Sequence, residues 1–304
     1  MRHQHKKEAI ASVTILAVFI GLVLAYFFSS SVRFAIYDAY NSVIKVVITD
    51  RVLREEAEIY SNLSYCDSNN PRQTLDLYVP QHALRHPMDL VIFIHGGGWK
   101  AGDKSGQIMT YYSEELLKNG IAVASLNYRL YPEVTYPKPN EDISCAIQYL
   151  SDNAPQYDIA EKGWTIFGDS AGAQLGAYAM ADTRVNAPLQ TFIGFYGPYD
   201  LREQITRIPK RDNDAWNYTN KGKSAREASP YLRPVKTDAK YILYHGEKDR
   251  IVYVSQSAKF AKKLFSQQVD TSFTQVKNAN HYFSQRTTPT SAAIKKEVLN
   301  VLEK

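Results

Sequence analysis

From residue 57 onward, short uncharged runs alternate with stretches whose apolar positions recur every three to four residues. Leu90-Val91-Ile92-Phe93-Ile94, Trp164-Thr165-Ile166-Phe167 and Tyr241-Ile242-Leu243-Tyr244 are apolar throughout or nearly so, as expected of strands buried on both faces. The pattern predicts strands over 57–62, 74–79, 90–95, 121–127, 164–168, 191–196, 240–245 and 271–276. It predicts helices over 110–118, 140–152, 171–181, 255–267 and 291–303. Strands that alternate with helices need crossover connections, so the expected class is α/β, with a mostly parallel sheet of about eight strands flanked by helices. The first two strands follow one another with no helix between them, which fits an antiparallel start.

The beginning of the chain follows another pattern. Arg2, Lys6 and Lys7 precede Glu8, and no further charge occurs until Arg33. Residues 9–28 are largely apolar on every side. As a helix they would extend about 30 Å, enough to cross a bilayer. A cleaved signal peptide is the alternative, with Val23-Leu24-Ala25 as the small-residue site. Tyr26-Phe27-Phe28 carries the apolar run past that site, which favours an uncleaved anchor. Basic residues ahead of the span would stay in the cytoplasm, leaving the rest of the chain outside. The expected organisation is a membrane anchor or signal segment over 1–29, a connector or lid helix over 30–56, and a folded domain over 57–304. Within the connector, Phe34, Ile36, Tyr37, Tyr40, Val43, Ile44 and Val47 roughly keep a helical period.

Two strings carry chemistry. His95-Gly96-Gly97-Gly98-Trp99 follows one buried run, and Gly168-Asp169-Ser170-Ala171-Gly172 follows another and opens a small-residue helix. Gly-x-Ser-x-Gly alone is a common turn sequence. In a strand–turn–helix context it is the sharp elbow that lifts a serine hydroxyl above a sheet. Gly168 and Gly172 supply the small neighbours such a turn needs. The N–H of Ala171 and those of the side-chain-free Gly97 and Gly98 are candidate donors to an oxyanion. Serine needs a base and the base an orienting acid. Of the chain's seven histidines, His245 and His281 follow Ser170. His281 lies after the last predicted strand. Asp249 follows the strand 240–245 at its carboxyl end, where ligands gather in open α/β sheets. His245 precedes that acid, Glu247 competes with Asp249 for the acid role, and Asp270 falls at the opposite end of its strand.

These strings, with Asn127-Tyr128-Arg129-Leu130 and Tyr196-Gly197-Pro198, resemble the α/β-hydrolase carboxylesterases related to hormone-sensitive lipase and the bacterial feruloyl-esterase-like enzymes. The resemblance runs from about residue 56 to the C-terminus. It implies the α/β-hydrolase fold, a small-molecule carboxylic ester substrate, and Ser170, Asp249 and His281 as nucleophile, acid and base. The large N-terminal cap of many lipase-like relatives is reduced here, so no lipid preference follows. The expected activity is serine carboxylesterase, on short-chain or small aromatic esters, from a membrane-anchored extracytoplasmic domain or a secreted one. Amide or peptide hydrolysis by the same three residues is the enzymatic alternative. A non-catalytic binding protein of the same fold is the other.

Composition narrows this only slightly. The formal net charge is +5, of which residues 1–8 supply +2 through three basic residues and one acidic residue. The rest is only mildly basic, which argues against a nucleic-acid partner. No metal-ligand spacing of the His-Glu-x-x-His kind occurs, and the expected chemistry needs no cofactor. Asp103 stands after Gly102 where a phosphate loop would carry lysine. Cys66 and Cys145 are too few for a disulfide framework, and Cys145 reads as the buried face of helix 140–152. Two free thiols are therefore expected. Asn62-Leu63-Ser64 and Asn217-Tyr218-Thr219 are glycosylation acceptors in a host that glycosylates exported proteins. Residues 200–236 form a polar variable region that would drape over the pocket.

Overall fold

The computed structural model describes residues 53–83, 85–207, 213–285 and 288–302. Eight strands form one sheet in the order β1-β2-β4-β3-β5-β6-β7-β8. They are β1 (Ala57–Ser64), β2 (Thr74–Pro80), β3 (Leu90–Ile94), β4 (Ala122–Leu126), β5 (Trp164–Asp169), β6 (Leu189–Phe195), β7 (Lys240–Gly246) and β8 (Thr271–Val276). β1 and β4 each run antiparallel to β2, and every other pairing is parallel. Burial follows position in the sheet. β3 and β4 are buried at every residue, whereas the edge strands β1 and β8 expose part of their length. This difference explains why the central strands read as continuous apolar runs.

Among the described residues five longer helices cover the sheet: α1 (Gln107–Lys118), α2 (Lys138–Asn153), α3 (Ala171–Met180), α6 (Ser255–Ser266) and α7 (Pro289–Leu302). On one face a single core cluster joins Ile92, Ile166, Phe192 and Leu243 to Ile143 of α2, Leu175 of α3 and Phe260 of α6. On the other face Phe93, Phe167 and Phe195 pack against one another across three strands with centroids 4.9–5.1 Å apart, and Tyr112 of α1 meets Phe167 edge-on. Lys295 of α7 pairs with Glu115 of α1 at 2.7 Å, tying the helices on that face together. α3 is buried along its whole length. Only small residues allow a helix to sit so close to the sheet. A Cβ at Gly172 would lie 2.0 Å from the carbonyl oxygen of Ile94, so no other residue fits there.

β3 leads to β4 on one side, and the chain then crosses back to β5 on the other. The carboxyl ends of β3 and β5 therefore flank the topological switch point, where open α/β sheets place their ligand sites. Both glycine-containing strings emerge there.

Two expectations change. Cys66 and Cys145 form a disulfide, with Cα atoms 5.8 Å apart, rather than two free thiols. Cys145 lies on the half-buried flank of α2, turned toward the loop after β1 where Cys66 sits with φ +59°. Helical periodicity could not distinguish the flank from the buried face. The polar variable region 200–236, where the pattern predicts no helix, contains α4 (Leu201–Arg207) and α5 (Asp214–Tyr218). α5 begins at Asn213, whose side chain accepts from the Trp216 N–H and caps the helix. Residues 9–28 and nearly all of the 30–56 connector lie outside the described residues. Among the described residues, no helix is long and apolar enough to cross a membrane.

Candidate active site

Ser170 sits between β5 and α3 with φ +50° and ψ −119°, a conformation that non-glycine residues seldom adopt. Its backbone N–H donates to the Phe195 carbonyl at 2.9 Å, so the neighbouring strand helps hold the turn. A Cβ at Gly168 would meet the Gly172 carbonyl oxygen at 2.4 Å, which is why the elbow is flanked by glycine on both sides. Ala171 is the first residue of α3, so its N–H has no acceptor within the helix.

His281 lies on the loop after β8, 111 residues from Ser170 in sequence, with its Nε2 3.0 Å from Ser170 Oγ. Its Nδ1 is 2.6 Å from Asp249 Oδ2. Asp249 and His281 are each only 4% exposed. The other carboxylate oxygen of Asp249 accepts the N–H groups of Ile251 and Val252, each at 2.9 Å. Burial alone would raise the Asp249 pKa. Hydrogen bonds from His245 and His281 outweigh it and hold the carboxyl at about 2, so the group is ionised at neutral pH. Below the imidazole lies the Tyr196 ring, with centroids 4.5 Å apart. Tyr196 is itself at φ +43°, and its hydroxyl is hydrogen-bonded to Ser284. The rival acids lie elsewhere. Glu247 is exposed and accepts the Asn278 N–H at 2.9 Å, and Asp270 is exposed at the start of β8.

The loop after β3 turns tightly. Gly97 and Gly98 have φ +110° and +60°, and the Gly97 carbonyl accepts from Ala101 N–H at 3.0 Å. The loop is tied to the elbow because the Gly96 N–H donates to Asp169 Oδ1 at 2.9 Å. It is clamped on its far side too. Trp99 stacks on Tyr218 of α5 at 4.4 Å with rings 4° apart, and its indole N–H donates to Gln174 of α3 at 2.8 Å. Lys100 pairs with Asp214 of α5 at 2.7 Å. His95 is buried, stacked on Tyr128 at 4.4 Å, with Nδ1 2.7 Å from the Gly96 carbonyl oxygen.

Ser170, His281 and Asp249 thus meet at one point, with Gly97, Gly98 and Ala171 on the loop and helix end beside it. The clamp from α5 and the Asp169 tether are not evident in the sequence. Asp169 lies inside the serine string, but nothing local says that its side chain reaches the loop after β3. His245 contacts the same carboxylate oxygen as His281, with Nε2 3.2 Å from Asp249 Oδ2.

An eight-stranded sheet with this elbow at its switch point defines an α/β-hydrolase. Esterase B from Lactobacillus rhamnosis shares the fold, with a TM-score of 0.71 at 21% identity over 88% of this chain and 95% of that one. The chain belongs to the BD-FAE family, whose model matches residues 75–264. It is 25% identical to esterase LipC of Mycobacterium tuberculosis over 253 residues, covering 74% of this chain and 62% of LipC. It is 26% identical to the isoprenylcysteine alpha-carbonyl methylesterase ICME of Arabidopsis thaliana over 221 residues, covering 64% of this chain and 50% of that protein. The chain therefore spans between half and two thirds of the length of these relatives.

Proposed function

We propose that the protein is a serine carboxylesterase working through an acyl-enzyme. The observation that carries this reading is the continuous hydrogen-bonded line from Ser170 Oγ through His281 to an ionised, buried Asp249. In the first half-reaction Ser170 Oγ attacks the ester carbonyl carbon while His281 Nε2 takes its proton. The carbonyl oxygen gains negative charge, and the N–H groups of Gly97, Gly98 and Ala171 stabilise it. Collapse breaks the bond to the alcohol oxygen, which takes the proton back from His281 as the alcohol leaves. Water then attacks the acyl-serine by the same route, releasing the acid and restoring the Ser170 hydroxyl. Asp249 keeps the Nδ1–H tautomer of His281 and stabilises the imidazolium formed at each attack.

Two large apolar residues are exposed beside these groups: Ile251, 42% exposed, two residues after Asp249, and Tyr282, 45% exposed, with its ring edge-on to His281. An apolar rim at this place favours small esters with a short acyl chain or an aromatic group. The relatives named esterases support the ester over the amide. We further propose that the domain works outside the cytoplasm, anchored through residues 9–28. The apolar length of that segment supports this, as does a disulfide between the chain's two cysteines, since such bonds persist in oxidising compartments.

The test is hydrolysis of p-nitrophenyl esters of graded acyl length by the full chain beside its Ser170→Ala variant. The expected outcome is turnover of short chains that the variant loses. Near-normal hydrolysis by Ser170→Ala overturns the assignment of the nucleophile.

A further inference from the structure

We propose that His245 is a positioning residue for this reaction: its ring bridges the Asp249 carboxylate and the Val252 carbonyl, and so sets the carboxylate oxygen that His281 uses. The proposal rests on the esterase reading of Ser170, His281 and Asp249.

His245 is the penultimate residue of β7 and its side chain is entirely buried, as is that of Asp249. Nε2 of its ring is 2.8 Å from the Val252 carbonyl oxygen and 3.2 Å from Asp249 Oδ2. A carbonyl can only accept, so the ring carries its proton on Nε2, and that N–H is forked between the two oxygens. In the neutral imidazole Nδ1 is then a lone pair, and Ser257 Oγ of α6, 2.7 Å away, is its donor. Sheet and helix together therefore impose one tautomer. The Asp249 carboxylate receives four donors: Ile251 and Val252 N–H on Oδ1, and the two imidazoles on Oδ2.

The sharing of Oδ2 has two consequences. The first concerns direction. His245 holds the 249–252 turn at both ends, at the carboxylate of its first residue and the carbonyl of its last. The carboxylate therefore cannot rotate away from His281 without breaking the fork. The second concerns charge. The His245 N–H draws on the same lone pairs that stabilise the His281 imidazolium, so it moderates how strongly Asp249 holds a proton on His281. The other groups facing this chain are Ser170, Tyr196 and Tyr282 around His281, and Ser257 beside His245.

The test compares the full chain with Ser170→Ala, His245→Leu, His245→Gln and Ser257→Ala on p-nitrophenyl acetate. Loss of turnover in Ser170→Ala ties the assay to this site; its persistence overturns the esterase reading and leaves the packing of His245 untouched. In His245→Leu, kcat should fall about tenfold or more while KM stays within about twofold, the scale expected for losing a hydrogen bond to a charged group. The acid limb of the kcat/KM profile should move to higher pH, because Asp249 no longer shares Oδ2. The low-field proton resonance of the His281 Nδ1–H should shift with it. His245→Gln, whose amide N–H can still reach both oxygens, should restore most of kcat. Ser257→Ala, which leaves the packing of β7 intact, should move the profile in the same direction by less. A lower Tm with wild-type kcat, acid limb and resonance in both His245→Leu and Ser257→Ala would make His245 a packing residue and overturn the proposal, as would a loss of turnover in His245→Leu that glutamine at the same position does not restore.

Discussion

The disulfide between Cys66 and Cys145 gives the most direct quantitative test. It joins the loop after β1 to the flank of α2 across a sequence separation of 79 residues. In the chain-entropy picture, closing a loop of that length restricts the unfolded chain by about 4.5 kcal/mol at 25 °C. Native bridges lost from folded domains usually cost between about 2 and 5 kcal/mol. For a domain of this size each kcal/mol lowers Tm by roughly 2–4 °C, so a fall of roughly 5–15 °C is expected. The fold should survive, because the same corner is tied independently. The Tyr65 hydroxyl donates to the Asn127 carbonyl at 2.6 Å, and Asp142 of α2 holds Arg129 at 2.6 Å and Gln73 at 2.9 Å. Neither cysteine touches Ser170, His281 or Asp249, so ester turnover at 25 °C should be unchanged. The assay is thermal unfolding of the full chain, oxidised and reduced, beside a Cys66→Ser, Cys145→Ser double variant. The reduced protein and the double variant should coincide, both below the oxidised protein. A double variant that melts with the oxidised protein would refute the entropic reasoning, and two titratable thiols in the denatured, unreduced chain would refute the bond itself.

Three further outcomes follow from the site. Asp249→Asn keeps the shape but removes the charge and frees the tautomer of His281, so kcat should fall by about 10⁴ with little change in fold, measured by initial rates and circular dichroism. Tyr218→Leu removes the ring stacked on Trp99, loosening the Gly97–Gly98 turn; kcat should fall more than KM rises, and a change in KM alone would argue against a role for the clamp. Burial pushes the His95 imidazole from 6.5 down to about 4, partly offset by its bond to the Gly96 carbonyl. The unfolded chain therefore takes up this proton first as the pH falls. The His95 contribution is complete above about pH 6.5 and is lost toward about pH 4, by at most about 3 kcal/mol. Urea midpoints across that range should fall more steeply for the wild type than for His95→Gln.

Most of the fold was legible because its signals are local. The central runs are apolar wherever a parallel strand is covered on both faces, so β3, β5 and β7 were placed to within a residue or two. β1 and β8 were legible mainly through their spacing, since an edge strand keeps polar positions. α4 and α5 were not foreseen. Each is short, and α5 depends on the Asn213 cap and on packing of Trp216 against Gly222. In sequence alone their charged residues resemble a loop.

The sequence by itself determined the order of strands and helices, the glycines at the serine turn and the order in which serine, acid and histidine occur along the chain. All of these depend on residue type and near neighbours, and steric and hydrophobic rules act at that range. Only the tertiary structure decided which atoms meet. It brought His281 to Ser170 across 111 residues and paired Cys66 with Cys145 across 79. It also set α5 against the loop after β3, and gave one oxygen of Asp249 two imidazoles to share. Those contacts depend on how the sheet and its helices bring distant segments together, and no local pattern in the chain records them.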